Sequence, residues 1–171
     1  MQRRIAAEKQ RLTSTTTHSR IIATMRAAAV EAGAAILDVY RAPFTAAVKA
    51  DGSPVTVADR AAEAIILERL EAAFPEVPIV SEERADSHAL APSECYFLVD
   101  PLDGTKEFIR RNGEFTVNIA LIEHGVPVLG VVATPVKGEL YYVDENGRAI
   151  EAIGGDTRVI SARLAPPAPN S

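Results

Sequence analysis

The chain changes texture at Pro75, and that change limits the folds open to it. Before Pro75 apolar residues recur at helical spacing, and after it they come in short runs bounded by breakers. Starting near Ser19, a fair helix cap, the residues Ile21, Ile22, Met25, Ala28, Ala29, Ala32, Ile36, Val39 and Tyr40 predict a helix that Pro43 stops. Ala47 to Lys49 reads as a short strand and Asp51-Gly52-Ser53-Pro54 as a turn. A second helix is expected from Thr56 or Val57 to about Phe74, with Ala61, Ala64, Ile65, Leu67, Leu70 and Phe74 on its inner side. Beyond Pro75, Pro78-Ile79-Val80 and Tyr96-Phe97-Leu98-Val99 suggest buried strands, and residues 84–95 a polar surface loop. A brief helix is expected over about Thr105 to Arg111. Strand-like segments follow at Phe115 to Glu123, Val128 to Pro135, Glu139 to Val143 and Arg148 to Ile153, with one more at Arg158 to Ser161. His124-Gly125, Lys137-Gly138 and Asn146-Gly147 separate them, the last two being hairpin signals. Helices first and an antiparallel meander afterwards predict an α+β layer fold.

Composition removes several function classes. The formal net charge is −5, against the basic face expected of a nucleic-acid-backbone binder. One cysteine, Cys95, permits no intrachain disulfide, and a reducing cytoplasm is the default setting. A lone thiol with three scattered histidines is a poor nucleophile candidate. No apolar stretch approaches the roughly 20 residues of a membrane span. The start of the chain sets Arg3, Arg4, Lys9, Arg11, Arg20 and Arg26 against one acid, Glu8. Such a bias resembles a transit peptide. A disordered or linker-like extension over residues 1–18 is the reading preferred, ahead of an α+β domain over 19–162 and a Pro-rich tail over 163–171.

The chemistry concentrates in Val99-Asp100-Pro101-Leu102-Asp103-Gly104-Thr105-Lys106. A buried strand, a break and a helix start place Asp100 at the strand end and Asp103 at the cap of the next helix. Both can converge on one hard cation, with the Leu102 carbonyl as a third oxygen, a donor set that suits magnesium. Gly104 and Thr105 would offer backbone N–H groups at a helix N-terminus, a seat for phosphate. The alternative is a capped turn with incidental acids, and spacing alone does not decide between them. Glu82-Glu83 follows the Pro78-Ile79-Val80 strand, and Asp59 follows Val55-Thr56-Val57. Each also has a plain reading, a solvated loop and a first-turn helix acid.

Asp100-Pro101-Leu102-Asp103-Gly104-Thr105, with Glu82-Glu83 upstream, resembles the signature of the inositol monophosphatase superfamily. Lys49-Ala50-Asp51-Gly52-Ser53-Pro54-Val55-Thr56-Val57-Ala58-Asp59 and Gly104-Thr105-Lys106-Glu107-Phe108 are similar to its bisphosphate nucleotidase branch, the CysQ type. The resemblance covers about residues 20–165. It implies that two N-terminal helices pack on a mostly antiparallel sheet. It implies that Glu82, Asp100 and Asp103 are metal-ligand carboxylates and that Leu102 lends its carbonyl. Asp59 and Thr105 match the pair that orients and deprotonates the attacking water, and Gly104 and Thr105 the phosphate-binding turn. Glu83 is the less direct member of its pair, and Lys49 lies in the matching motif as a supporting residue. The implied reaction is in-line attack of a magnesium-activated water on a phosphate monoester, inhibited by lithium.

The family pattern also includes a C-terminal α/β domain whose Trp-Asp motif completes the metal site. This sequence has no Trp, and Asp144 and Asp156 come too early to replace that Asp. The expectation is therefore a truncated form, with exposed apolar surface that favours self-association. The expected substrate is adenosine 3′,5′-bisphosphate, losing its 3′-phosphate. The alternatives are an inositol or sugar monophosphate, and a non-catalytic magnesium-binding or interaction fragment.

Overall fold

The computed structural model describes residues 15–48, 54–84, 87 and 94–162. Helix α1 runs Thr15–Arg41. The short strands β1 (Ala46–Val48) and β2 (Pro54–Thr56) pair antiparallel as a separate ribbon. Helix α2 (Val57–Ala73) follows directly. Then come β3 (Ile79–Ser81), β4 (Cys95–Asp103) and the short helix α3 (Thr105–Arg110). The meander β5 (Thr116–Glu123), β6 (Val126–Thr134), β7 (Glu139–Val143), β8 (Ala149–Ile153) and β9 (Asp156–Val159) completes the fold.

Strands β3 to β9 form one seven-stranded sheet in chain order, with β3 parallel to β4 and every other pair antiparallel. Helix α1 lies on β5, β6 and β7, and α2 lies on β4 and on α1. The core sits between these layers. Ile21, Met25, Ala28, Ala32 and Ile36 from α1 meet Phe97, Val117, Leu121 and Val131 from the sheet, all nearly or wholly buried. Period-two alternation puts those strand residues on one face, leaving Leu98, Asn118, Ala120 and Val132 on the other. Leu98 and Val132 remain substantially exposed there.

The α+β class and the helices-on-sheet layering match the expectation, and details differ for physical reasons. Helix α1 begins at Thr15, inside the stretch read as an extension, so Thr15 to His18 are helical. The inner stripe of α2 is Ala58, Ala62, Ile66 and Leu70, continued by Phe74, so the expected stripe holds at Leu70 and Phe74 and not at its other four positions. A capping box between Thr56 and Asp59 sets the start of α2 where it was expected, while Ala64 is exposed and Ala61, Ile65 and Leu67 are half-buried. In the segment read as a polar surface loop, Ser87 is buried. Its hydroxyl accepts from Ser81 N–H at 3.1 Å and donates to Arg84 O at 2.6 Å. Residues 1–14, Lys49 and the tail 163–171 lie outside the described residues.

Candidate active site

The site is built where four chain segments end close together. The first is the β2–α2 junction. Thr56 is the N-cap of α2, and its hydroxyl accepts from Ala58 N–H at 3.1 Å. Asp59 returns the bond, with Oδ2 accepting from Thr56 N–H and Thr56 Oγ1–H, both at 2.7 Å. This is ordinary helix capping, yet Asp59 is fully buried and its other oxygen faces a residue far along the chain. The Thr105 hydroxyl lies 3.1 Å from Asp59 Oδ1 and 3.3 Å from Leu102 O. A hydroxyl has one proton to give and two lone pairs to receive with. With its proton directed to Asp59, Thr105 Oγ1 keeps acceptor capacity for a water.

The turn between β4 and α3 supports this pair. Gly104 has φ of 96°, and a Cβ there would meet Glu114 O at 3.0 Å, so glycine alone is accommodated without strain. Beneath α3, Phe108 is buried among Tyr40, Phe44 and Phe115 with ring centroids 4.7–5.3 Å apart. Arg111 donates from its guanidinium to Tyr40 O and, at 2.8 Å, to Ala42 O. The short helix is thus tied to the C-terminal end of α1, which sets the direction of Thr105.

The third segment is β4 itself. Asp100 pairs with Asn118 and Asp103 with Thr116, so β4 advances three positions while β5 advances two. The extra residue is a β-bulge. Acids three apart on a regular strand point to opposite faces. The bulge at Pro101-Leu102 brings Asp100 and Asp103 to the same side, where Asn118 Nδ2 donates to Asp103 Oδ2 at 3.1 Å. The fourth segment is the turn after β3. Glu82 N–H bonds Val99 O at 3.0 Å, which anchors the Glu pair beside β4. Burial, then the neighbouring charge and hydrogen bond of Glu82, then the charge of Asp103, push the Asp100 carboxyl up to about 7, opposed by a Leu102 N–H bond.

Glu82, Asp100 and Asp103 therefore act on one another. Yet among the described residues no three His, Cys, Asp or Glu side chains are gathered tightly enough to enclose an ion. Two features nonetheless suit a hard divalent cation. The candidate donors are all oxygens, and Asp100 Oδ1 is a buried acceptor without a hydrogen-bond partner. Glu83 is half-buried in the same turn. Asn118 and Thr56 were missed in the sequence. The signals were a lone amide on an otherwise apolar alternating strand, and a capping box read only as a helix start. Cys95, pushed up to about 11 by burial and then by Glu123, is no ready nucleophile. A groove of about 500 Å³ floored by Leu98, Ala120 and Val132 opens beside Glu82, Asp100 and Asn118. A larger one, about 720 Å³ between α1 and α2, touches none of these acids.

The chain and its fold are similar to known proteins. The 3′(2′),5′-bisphosphate nucleotidase CysQ of Salmonella typhimurium is 52% identical over 139 residues, covering 80% of this chain and 56% of that protein. The chain thus spans about half the length of the curated relatives it matches. Among solved structures, the extragenic suppressor protein suhB from Bartonella henselae superposes with a TM-score of 0.69 at 32% identity, over 78% of this chain and 52% of that one. CysQ from Bacteroides thetaiotaomicron, a bacterial member of the inositol monophosphatase family, superposes with a TM-score of 0.66 at 42% identity, over 80% of this chain and 50% of that one. The inositol monophosphatase family profile matches residues 17–164, nearly the whole described region, and the chain belongs to that family.

Proposed function

We propose that this chain serves a magnesium-dependent phosphomonoesterase that removes the 3′-phosphate of adenosine 3′,5′-bisphosphate. The observation that carries the reading is the partly buried Asp59–Thr105 hydrogen bond, set between residues far apart in sequence and beside the acids of β4. Glu82, Asp100, Asp103 and the Leu102 carbonyl are the groups that would hold the cation. When bound, magnesium activates water and stabilises charge on the phosphate oxygens.

The remaining steps belong to the protein's own groups. Thr105 Oγ1 accepts a hydrogen bond from the attacking water and orients it, while its own proton points to Asp59. Asp59, held by Thr56 on one oxygen, receives that proton on the other as water gives one to Thr105. The backbone N–H groups of Gly104 and Thr105 hold phosphate oxygens in the turn. Glu83 supports the Glu82 turn, and Lys49 is the remaining residue proposed to assist. A cytoplasmic setting belongs to the same reading; no helix among the described residues is long and apolar enough to cross a membrane. So does self-association through the exposed Leu98 and Val132 face, which size-exclusion chromatography would register.

A second reading, magnesium binding without turnover by these 171 residues, is favoured by one observation: the chain spans about half the length of the curated relatives it matches. One assay separates the two. Phosphate release from adenosine 3′,5′-bisphosphate and from inositol 1-phosphate is measured with magnesium, for this chain and for a version extended by a C-terminal domain. The proposal expects release by the extended version, preferring the nucleotide and suppressed by millimolar-range lithium (an order-of-magnitude choice, two hard cations competing for oxygen donors). It expects little or none by the 171-residue chain. Failure of the extended version on both substrates would remove the phosphatase reading.

A further inference from the structure

We infer that Asn118 is a positioning residue for the cation site, orienting the Asp103 carboxylate by its side-chain amide while lying directly across the strand pair from Asp100. The inference rests on the metal-site reading above and adds a residue to it. Asn118 Nδ2 donates to Asp103 Oδ2 at 3.1 Å. A carboxylate only accepts, so the amide nitrogen must face Asp103 and the carbonyl oxygen must turn away from it. That carbonyl oxygen, Asn118 Oδ1, is buried without a hydrogen-bond partner, like Asp100 Oδ1 on the opposed residue.

A half-satisfied buried amide is a poor choice for stability. Its neighbours on the same face, Ala120 across the pleat and Gly130 and Val132 on β6, are small or apolar, and an apolar residue at 118 would suit that face better. The amide is suited to another task. A ligating carboxylate is held in direction by a hydrogen bond from a neighbouring group. Lysine or arginine could donate that bond, but their charge would compete with the cation. Asparagine donates without adding charge. The β-bulge makes the pairing possible, because without it Asp103 would point to the helix side of the sheet, away from Asn118.

Manganese, a hard ion that prefers the same oxygen donors, is titrated into the chain and free ion is counted by its electron paramagnetic resonance signal. Thermal unfolding is followed separately without metal. Asn118→Leu should weaken manganese binding by about 10- to 100-fold, as expected for groups that orient ligands, while the metal-free midpoint stays level or rises. Asn118→Ser, which keeps a hydroxyl donor, should recover part of the affinity. Asn118→Leu binding within about twofold of the unaltered chain, far below the loss expected, would overturn the inference. So would a fall in the metal-free midpoint that tracks the loss of affinity. Asp103→Asn distinguishes the two layers of argument. If it abolishes binding while Asn118→Leu does not, the metal site stands and Asn118 has no part in it. If the unaltered chain binds no manganese, the metal-site reading fails and this inference with it.

Discussion

Two sides of one site differ in how completely their hydrogen bonds are made. On the Asp59 side every bond is in place: Oδ2 of the fully buried Asp59 takes two from Thr56, and Oδ1 faces the half-buried Thr105. On the Asp100 side two buried acceptors, Asp100 Oδ1 and Asn118 Oδ1, have none, and burial with Glu82 and Asp103 nearby raises the cost of charge on Asp100. The first arrangement is a product of helix capping and contributes to folding. The second costs stability as it stands and is relieved by a hydrogen-bond donor or a cation. Under the proposed function, the group that would handle a proton is prearranged by the fold, whereas the groups that would hold an ion are left unsatisfied.

The contrast can be broken at either side. The largest effect is expected on the open side. Asp103→Asn removes a charge that no adjacent acid replaces, so magnesium-dependent turnover of an extended, active version should fall by at least about 100-fold, beyond what a merely orienting group contributes. Its metal-free melting should stay level, since one of the acids crowding Asp100 is gone. Turnover and calorimetric melting are measured on the same preparation, and substantial activity in Asp103→Asn would show that the ion is held elsewhere.

On the closed side the signs reverse. Asp59→Ala deletes the partner of a buried N–H and a buried hydroxyl, so it should destabilise the chain by about 2–4 kcal/mol, combining a lost cap with an unsatisfied donor. Urea unfolding of both variants sharpens the comparison. If Asp59→Ala were no less stable than Asp103→Asn, the distinction between a folded-in and a ligand-completed side would be lost. A smaller effect is expected at the turn that joins the sides. Gly104→Ala forces a side chain into φ of 96° against Glu114 O, and about 1–3 kcal/mol is expected for such a backbone position.

The smallest effect lies outside the site and serves as a control. Burial alone would raise Asp144, but hydrogen bonds from Arg148 and from Asn146 N–H hold its carboxyl down to about 2, from 3.8. A depressed carboxyl stabilises the fold above its unfolded value, and that contribution is lost as pH falls from about 3.8 towards 2. Asp144→Asn should flatten the acid limb of a melting-versus-pH curve in that window only. A change near neutral pH would mean that the β7–β8 turn is coupled to the acids of β4.

The sequence by itself determined what depends on near neighbours. The Thr56–Asp59 capping box lies within four residues, and the helix start at Thr105 was legible in the same way, although β4 runs on through Asp100 to Asp103 and Gly104, not Asp103, is the N-cap of α3. Each could be read because its hydrogen bonds close locally. Pro75 and the hairpin glycines divided helices from meander for the same reason. Only the tertiary structure decided the rest. Spacing placed Asp100 and Asp103 three apart but could not show the bulge that turns them to one side, since a bulge is a property of two strands in register. Asn118 met Asp103 through that register, and Ser87 was drawn inward by the backbone of Ser81. The stripe of α2 likewise turned on which side of it packs against α1 and β4, and the Asp59–Thr105 bond joined residues 46 positions apart. Pairings of this kind depend on how whole layers settle against one another, and no local pattern encodes that geometry.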